Sequence, residues 1–147
     1  DMIETLKSTE ILTKEGFKVM VYCNDDPLMA KRLENVGACA IMPLAAPIGS
    51  GLGIQNKLNI SIIRQQTKLP LIIDAGIGSP SHAAYAMELG FDGVLLNSAV
   101  SQSVDPVKMS LAFRDAIIAG RMGYKSGLIK SQNFATASTI IGEQHFD

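Results

Sequence analysis

The chain has 147 residues, 47% of them hydrophobic and 18% charged, with a formal net charge of -1. This is a globular composition, large enough for one core. It carries no basic run that would favour nucleic acid or an anionic membrane, and Gly, Pro or charge breaks every apolar run short of a membrane span.

The elements follow in order. Ile3, Leu6, Ile11 and Leu12 predict a helix over 3–15, which Gly16 closes. A β-favouring run predicts a strand over 17–23. Asp26 and Pro27 are an N-cap and first-turn pair for a helix over 27–36, with Leu28, Met29 and Leu33 on its apolar side and Gly37 at its end. A strand over 38–44 leads into a long loop, Ala45-Ala46-Pro47-Ile48-Gly49-Ser50-Gly51-Leu52-Gly53. Leu58, Ile60, Ile62 and Ile63 mark a helix over 57–66. Pro70 opens a buried strand over 71–74 that stops at Asp74. Ala75-Gly76-Ile77-Gly78 follows, then Ser79 and Pro80, a second cap pair, and a helix over 80–89 ending at Gly90. A strand over 93–96 runs into Asn97-Ser98-Ala99. Asp105 and Pro106 cap a last helix over about 106–122, whose apolar residues include Val107, Met109, Leu111, Ala112, Ile117 and Ile118. Residues 126–147 are polar and weakly periodic and read as an irregular tail.

Helix, glycine, strand, loop and capped helix recur four times. Strands alternating with helices at this spacing make βαβ units and a parallel sheet with right-handed crossovers. A doubly wound sheet and a (β/α)8 barrel both fit. A barrel typically needs ~250 residues, so the chain would be its second half, strands 5–8, with roughly 100 residues preceding it. The opening Asp1-Met2-Ile3-Glu4, which enters a helical pattern at once, agrees with a C-terminal part of a longer protein. Alone, such a half-barrel has two unpaired edges and half of an open core, and is expected to be sticky or unfolded.

In βα folds, ligands bind at the C-terminal ends of the strands. The candidates there are Cys23, Asn24 and Asp25; the Gly49–Gly53 loop; Asp74, Ala75 and Gly76; and Asn97 and Ser98. Asp74 is the sharpest. A carboxylate at a strand end serves as general acid or base, or else bonds the N–H groups of its own loop. The glycine loop can present successive N–H groups to an anion, or be merely long. Asp25 and Asp26 read as a capping pair. Cys23 and Cys39 lack metal-ligand spacing and read as buried thiols. His82 reads as a solvated helix residue, and His145 falls in the tail. There is no catalytic triad and no metal constellation, and no cofactor is expected. Lys7, Lys14, Lys31, Lys57, Lys68, Lys108, Lys125 and Lys130 fall on helices, helix ends or the tail, and Lys18 falls near a strand start, so none is placed for imine chemistry at the strand ends.

Four stretches carry a family resemblance: Tyr22-Cys23-Asn24-Asp25-Asp26-Pro27, Met42 through Ile54, Ile73-Asp74-Ala75-Gly76-Ile77-Gly78, and Met87 through Asn97. In order and wording they resemble thiazole synthase of thiamine biosynthesis, from about Asp1 to Ala137. The resemblance implies a (β/α)8 barrel that builds thiazole phosphate. It further implies a lysine imine with 1-deoxy-D-xylulose 5-phosphate, sulfur from the thiocarboxylate of a ubiquitin-like carrier protein, and dehydroglycine as the remaining reactant. On this chain, Gly49, Ala75, Gly76, Asn97 and Ser98 match the family's sugar-phosphate positions, with Ser98 where the family often has Thr. Asp74 matches its acid/base aspartate. The imine lysine and a nearby glutamate belong to an earlier strand, so residues 1–147 alone are expected to be inactive. The chain would form a half-barrel over 1–125 within a homo-oligomer, in a bacterial cytoplasm or a plastid stroma. The tail Phe134-Ala135-Thr136-Ala137-Ser138 resembles cyanobacterial and plastid versions. The competing readings are another sugar-phosphate barrel, of aldolase or pyridoxal phosphate synthase type, and a non-catalytic docking half-barrel.

Overall fold

The computed structural model describes residues 1–135. These residues form six helices and four strands. Helix α1 (Met2–Lys14) precedes β1 (Met20–Cys23), α2 (Pro27–Asn35) and β2 (Ala40–Pro43). Helix α3 (Lys57–Gln66), β3 (Ile72–Asp74), α4 (Pro80–Glu88) and β4 (Gly93–Leu95) follow, then a short α5 (Ser98–Ser101) and the long α6 (Pro106–Ser126). The turn chemistry is as read. Asp26 accepts from the Leu28 N–H at 2.9 Å and Asp105 from the Lys108 N–H at 3.0 Å, each cap contributing about 1 kcal/mol. Gly16, Gly37 and Gly90 end their helices at positive φ. Ser79 departs from the pattern: its hydroxyl pairs with that of Ser81 and caps no N–H.

All strand pairing is parallel. β1 pairs with β2, Met20 to Ala40 through Cys23 to Pro43, and β3 pairs with β4, Ile72 to Gly93 through Asp74 to Leu95. Bridges at Ile41–Leu71 and Leu44–Asp74 join the two ladders. The Ala45 N–H donates to the Asp74 carbonyl at 2.9 Å across that seam. The strands therefore lie in chain order, β1-β2-β3-β4, with no reversal.

The two faces of this sheet differ. Val21, Cys23, Ile41, Leu71 and Ile73 point to one face and are at most 5% exposed, packed with Leu33, Ile60, Ile63, Ala83 and Phe91. Met20, Tyr22 and Leu95 point to the other and are 48%, 36% and 44% exposed. All the helices that contribute core residues thus sit on one side. Apolar residues cover the opposite face of the sheet, and nothing among the described residues packs over it fully.

Several expectations shift. Helix α1 turns Met2, Leu6 and Thr9 to the core and leaves Ile3, Ile11 and Leu12 exposed. Threonine is tolerated inside because the hydroxyls of Thr9 and Thr13 donate to carbonyls, Thr9 to Thr5 and Thr13 to Val36, the C-cap of α2, at 2.7 Å. Leu28, Leu58, Val107 and Ile118 are likewise exposed, and Phe113 and Gly120 take the buried face of α6. Cys39 is exposed, contrary to its reading as a buried thiol: its backbone N–H bonds the Val19 carbonyl at 2.9 Å just before β2 begins, but its side chain is outside the core. Helix α6 runs to Ser126, past the expected 122. Its last turn is held from outside: the Tyr124 ring lies on Gly90, and Arg121 donates to the Phe91 carbonyl at 3.2 Å. Ser126, the first residue of the expected tail, closes that helix, and the family-like Thr136-Ala137-Ser138 lies outside the described residues, as does His145.

Candidate active site

A cavity of about 520 Å³ opens at the C-terminal ends of β3 and β4. Gly49, Asp74, Ala75, Gly76, Asn97 and Ser98, drawn from three separate loops, all line it. The floor is apolar, from Ile77, Leu95, Leu96 and Met109.

Asp74 ends β3, half-buried. Its Oδ1 accepts the N–H of Ala75 at 2.7 Å. That bond fits the local-loop reading and leaves the second oxygen without a partner among the described residues. Ala75 has φ of 59°, the one non-glycine residue with positive φ among those described. Such a conformation costs about 1–2 kcal/mol in an L-residue, and strain of this kind concentrates at functional sites.

Two glycine loops border the cavity, and they are fastened to each other. The Gly53 N–H donates to the Gly76 carbonyl at 2.7 Å. A Cβ on Gly76 would lie 2.5 Å from that of Ala46, and a Cβ on Gly78 would lie 2.3 Å from the Gly51 carbonyl oxygen. Only glycine allows the two backbones to approach this closely. The N–H groups of Gly49, Gly51, Gly76 and Ile77 bond no other described residue. Beside them stand the amide of Asn97 and the hydroxyl of Ser98, neither engaged in a cap. Free N–H groups, an amide and a hydroxyl around one hollow are donors for an anionic oxygen cluster.

The remaining candidates lie elsewhere. Cys23 packs into the helix-covered core, and its thiol is pushed up to about 12 by burial, with Asp26 and Asp25 adding to it. Asn24 keeps a buried Oδ1 without a partner, outside the cavity lining. Sequence reasoning assigns Tyr22 no role at the site. It shares the open face, and burial, then the nearby Asp74 charge, then Cys23 raise its pKa, so the phenol stays protonated. Its signal was the strand alternation that sets Tyr22 opposite to Cys23. Helix α5 was also missed, because four residues are too few for a periodicity. His82 is half-buried and its ring nitrogen accepts the Gly78 N–H, so it is not a solvated helix residue. Among the described residues no lysine lines the cavity, and no three His, Cys, Asp or Glu side chains are grouped to hold a metal.

The thiazole biosynthesis protein ThiG family matches residues 1–140. The chain belongs to this family. It is 70% identical over 139 residues to a thiazole synthase of Pelagibacter ubique, covering 95% of this chain and 54% of that one. A thiazole synthase of Sulfurimonas denitrificans is 61% identical over 141 residues, 96% of this chain and 54% of the relative. The chain thus spans about half the length of the curated relatives it matches. A chain in the crystal structure of the Amycolatopsis orientalis BexX/CysO complex superposes with a TM-score of 0.87 at 34% identity, over 90% of this chain and 54% of that one. The 3-hexulose-6-phosphate synthase of Salmonella typhimurium shares the fold, with a TM-score of 0.61 at 20% identity over 82% of this chain and 58% of that one. The resemblance read from the four stretches is thereby shown at the level of the family.

Proposed function

We propose that this ThiG-family chain supplies the C-terminal half of a (β/α)8 thiazole synthase, strands 5–8 over residues 1–125, with 126–147 as its tail. The sequential strand order supports a barrel, since a doubly wound sheet reverses its order at the switch point. The open face carrying Met20, Tyr22 and Leu95 is then the barrel interior, which the preceding four βα units would fill.

The observation that carries the reading is the convergence of Gly49, Asp74, Ala75, Gly76, Asn97 and Ser98 on one cavity at the strand ends. The substrate is 1-deoxy-D-xylulose 5-phosphate. Its phosphate sits against the free N–H groups of the glycine loops, with Ser98 and Asn97 as side-chain donors. Asp74 moves protons on the sugar carbons as general acid and base, its free oxygen available for the exchange. The imine nitrogen comes from a lysine outside residues 1–147, since the cavity has none, and residues 1–147 alone are inactive. Sulfur arrives from a thiocarboxylated ubiquitin-like carrier protein, and dehydroglycine completes the ring. The similarity to a chain crystallised in the BexX/CysO complex is consistent with a protein partner of that kind. The exposed apolar side chains on the helices are compatible with a homo-oligomer. The relatives named above are bacterial, which favours the bacterial cytoplasm over a plastid.

The test uses the complete natural protein. It is incubated with 1-deoxy-D-xylulose 5-phosphate, reduced with borohydride and mapped by peptide mass. An adduct on a lysine preceding Asp1 supports the reading. A folded protein without an adduct overturns it, leaving the other sugar-phosphate barrels or a docking half-barrel.

A further inference from the structure

His82 is the third residue of α4, and nothing in the sequence marks it as more than a helix-surface residue. Its surroundings say otherwise. The Nδ1 atom accepts the Gly78 N–H at 3.2 Å, while the His82 N–H donates to the Ser79 carbonyl at 3.1 Å. From the N3 position a capping-box Glu or Gln would accept the N-cap N–H; this ring instead accepts the N–H one residue earlier, that of Gly78, and Ser79 makes no side-chain cap of its own. Accepting at Nδ1 places the ring proton on Nε2.

The flat of the ring carries a second load. A Cβ on Gly53 would fall 2.9 Å from Cγ, Cδ2 and Nε2 of His82, so the Gly53 backbone rests on the imidazole. One side chain thus touches both glycine loops, holding Gly78 by a hydrogen bond and supporting Gly53 by contact. Gly53 in turn donates to Gly76, and Gly78 abuts Gly51. Gly51, Gly76 and Gly78 line the cavity, and His82 does not.

We propose that His82 is a positioning residue: wedged between the two glycine loops, it fixes the spacing of the N–H groups that receive the phosphate end of the substrate. The phosphate part of this statement rests on the proposed function; the fastening of the loops does not. Donors displaced by a fraction of an ångström lose much of their value, because the site depends on preorganised geometry. Asp74 is held by its own bond to Ala75 and takes no part in the His82 hydrogen bond, so the effect falls on binding before chemistry.

Two variants of the complete protein separate the parts. His82→Phe keeps the flat ring and loses the acceptor; His82→Asn keeps an acceptor near the Nδ1 position. We expect His82→Phe to raise KM for 1-deoxy-D-xylulose 5-phosphate roughly tenfold with kcat within about twofold, and His82→Asn to recover most of that loss. Hydrogen exchange, read without any substrate, should rise roughly tenfold at the Gly53 and Gly78 amides in His82→Phe and stay unchanged in β3. Unchanged exchange at both glycines overturns the proposal, whatever the substrate proves to be. Faster exchange with an unchanged KM overturns the assignment to phosphate binding. A wild-type protein that does not take the sugar phosphate overturns the proposed function, and the exchange result then decides the wedge alone. If His82→Phe fails to fold, the same exchange comparison on His82→Ala decides it, faster exchange confined to the Gly53 and Gly78 amides supporting the wedge and unchanged exchange at both overturning it.

Discussion

The Gly78 backbone lies against the Gly51 carbonyl, leaving no room for a Cβ: one built there falls 2.3 Å from the oxygen. The atom in the way is backbone, so no side chain can swing aside. Gly78→Ala should therefore part the two loops and cost about 2 kcal/mol or more. Denaturant unfolding of the complete protein measures the loss, and sugar-phosphate affinity should drop with it. Full stability in the variant would mean that the loops are not fastened as described.

Asp74→Asn separates structure from chemistry. An amide oxygen can still accept the Ala75 N–H, so the bond at 2.7 Å and the loop survive. The amide cannot take a proton. Thiazole formation should fall by roughly 10²–10⁴-fold with the unfolding midpoint little changed. Trapping of the imine with borohydride checks where the block lies, since substrate binding should persist.

The two cysteines should behave oppositely. Cys39 is exposed, while Cys23 is fully buried with its thiol pushed up to about 12. Iodoacetamide at pH 8 should alkylate Cys39 alone, because roughly one Cys23 in 10⁴ is thiolate there and it is out of reach. Urea should expose both. The raised pKa also sets a pH dependence. Below the ordinary value of 9.0 both states hold the proton and nothing changes; between there and about 12 only the unfolded chain loses it, so stability should fall as pH climbs through that window.

Asp92 anchors the opposite end of the sheet. It accepts the Leu71 N–H at 3.0 Å and meets Arg64 at 3.3 Å and Arg121 at 3.7 Å. Both arginines also donate to carbonyls, Arg64 to Thr67 at 2.9 Å and Arg121 to Phe91. Asp92→Ala leaves a half-buried N–H and two guanidinium groups short of a partner, at a cost of about 1–3 kcal/mol. If the proposed function holds, KM of the complete protein should not move, since in (β/α)8 barrels stability and chemistry occupy opposite ends of the strands. A change in KM without a change in stability would contradict this division.

Much of this architecture was legible because it is local. Asp26 with Pro27 and Asp105 with Pro106 announce helix starts, and the glycines before the strands announce helix ends, through backbone preferences that hold in any context. Ser79 with Pro80 announced a start correctly and a cap wrongly, since the cap depends on where Ser81 and His82 point. Helix faces were less legible. Ile11 and Leu12 outweigh Thr9 in any hydrophobic count, yet Thr9 is inside, its hydroxyl satisfied by Thr5. The end of α6 was illegible for the same reason: Tyr124 is held by Gly90, more than 30 residues earlier in the chain.

The sequence by itself determined the alternation of capped helices and short buried strands and the family, and it singled out six candidate positions at the strand ends, because each rests on nearest-neighbour backbone chemistry or on residue identity in a fixed order. Only the tertiary structure decided which residues touch. That Gly53 rests on His82, that Gly76 and Gly78 close on Ala46 and Gly51, and that three loops empty their donors into one cavity follow from strands laid side by side in register. Close approach between distant backbones has no local signature beyond the glycine that permits it.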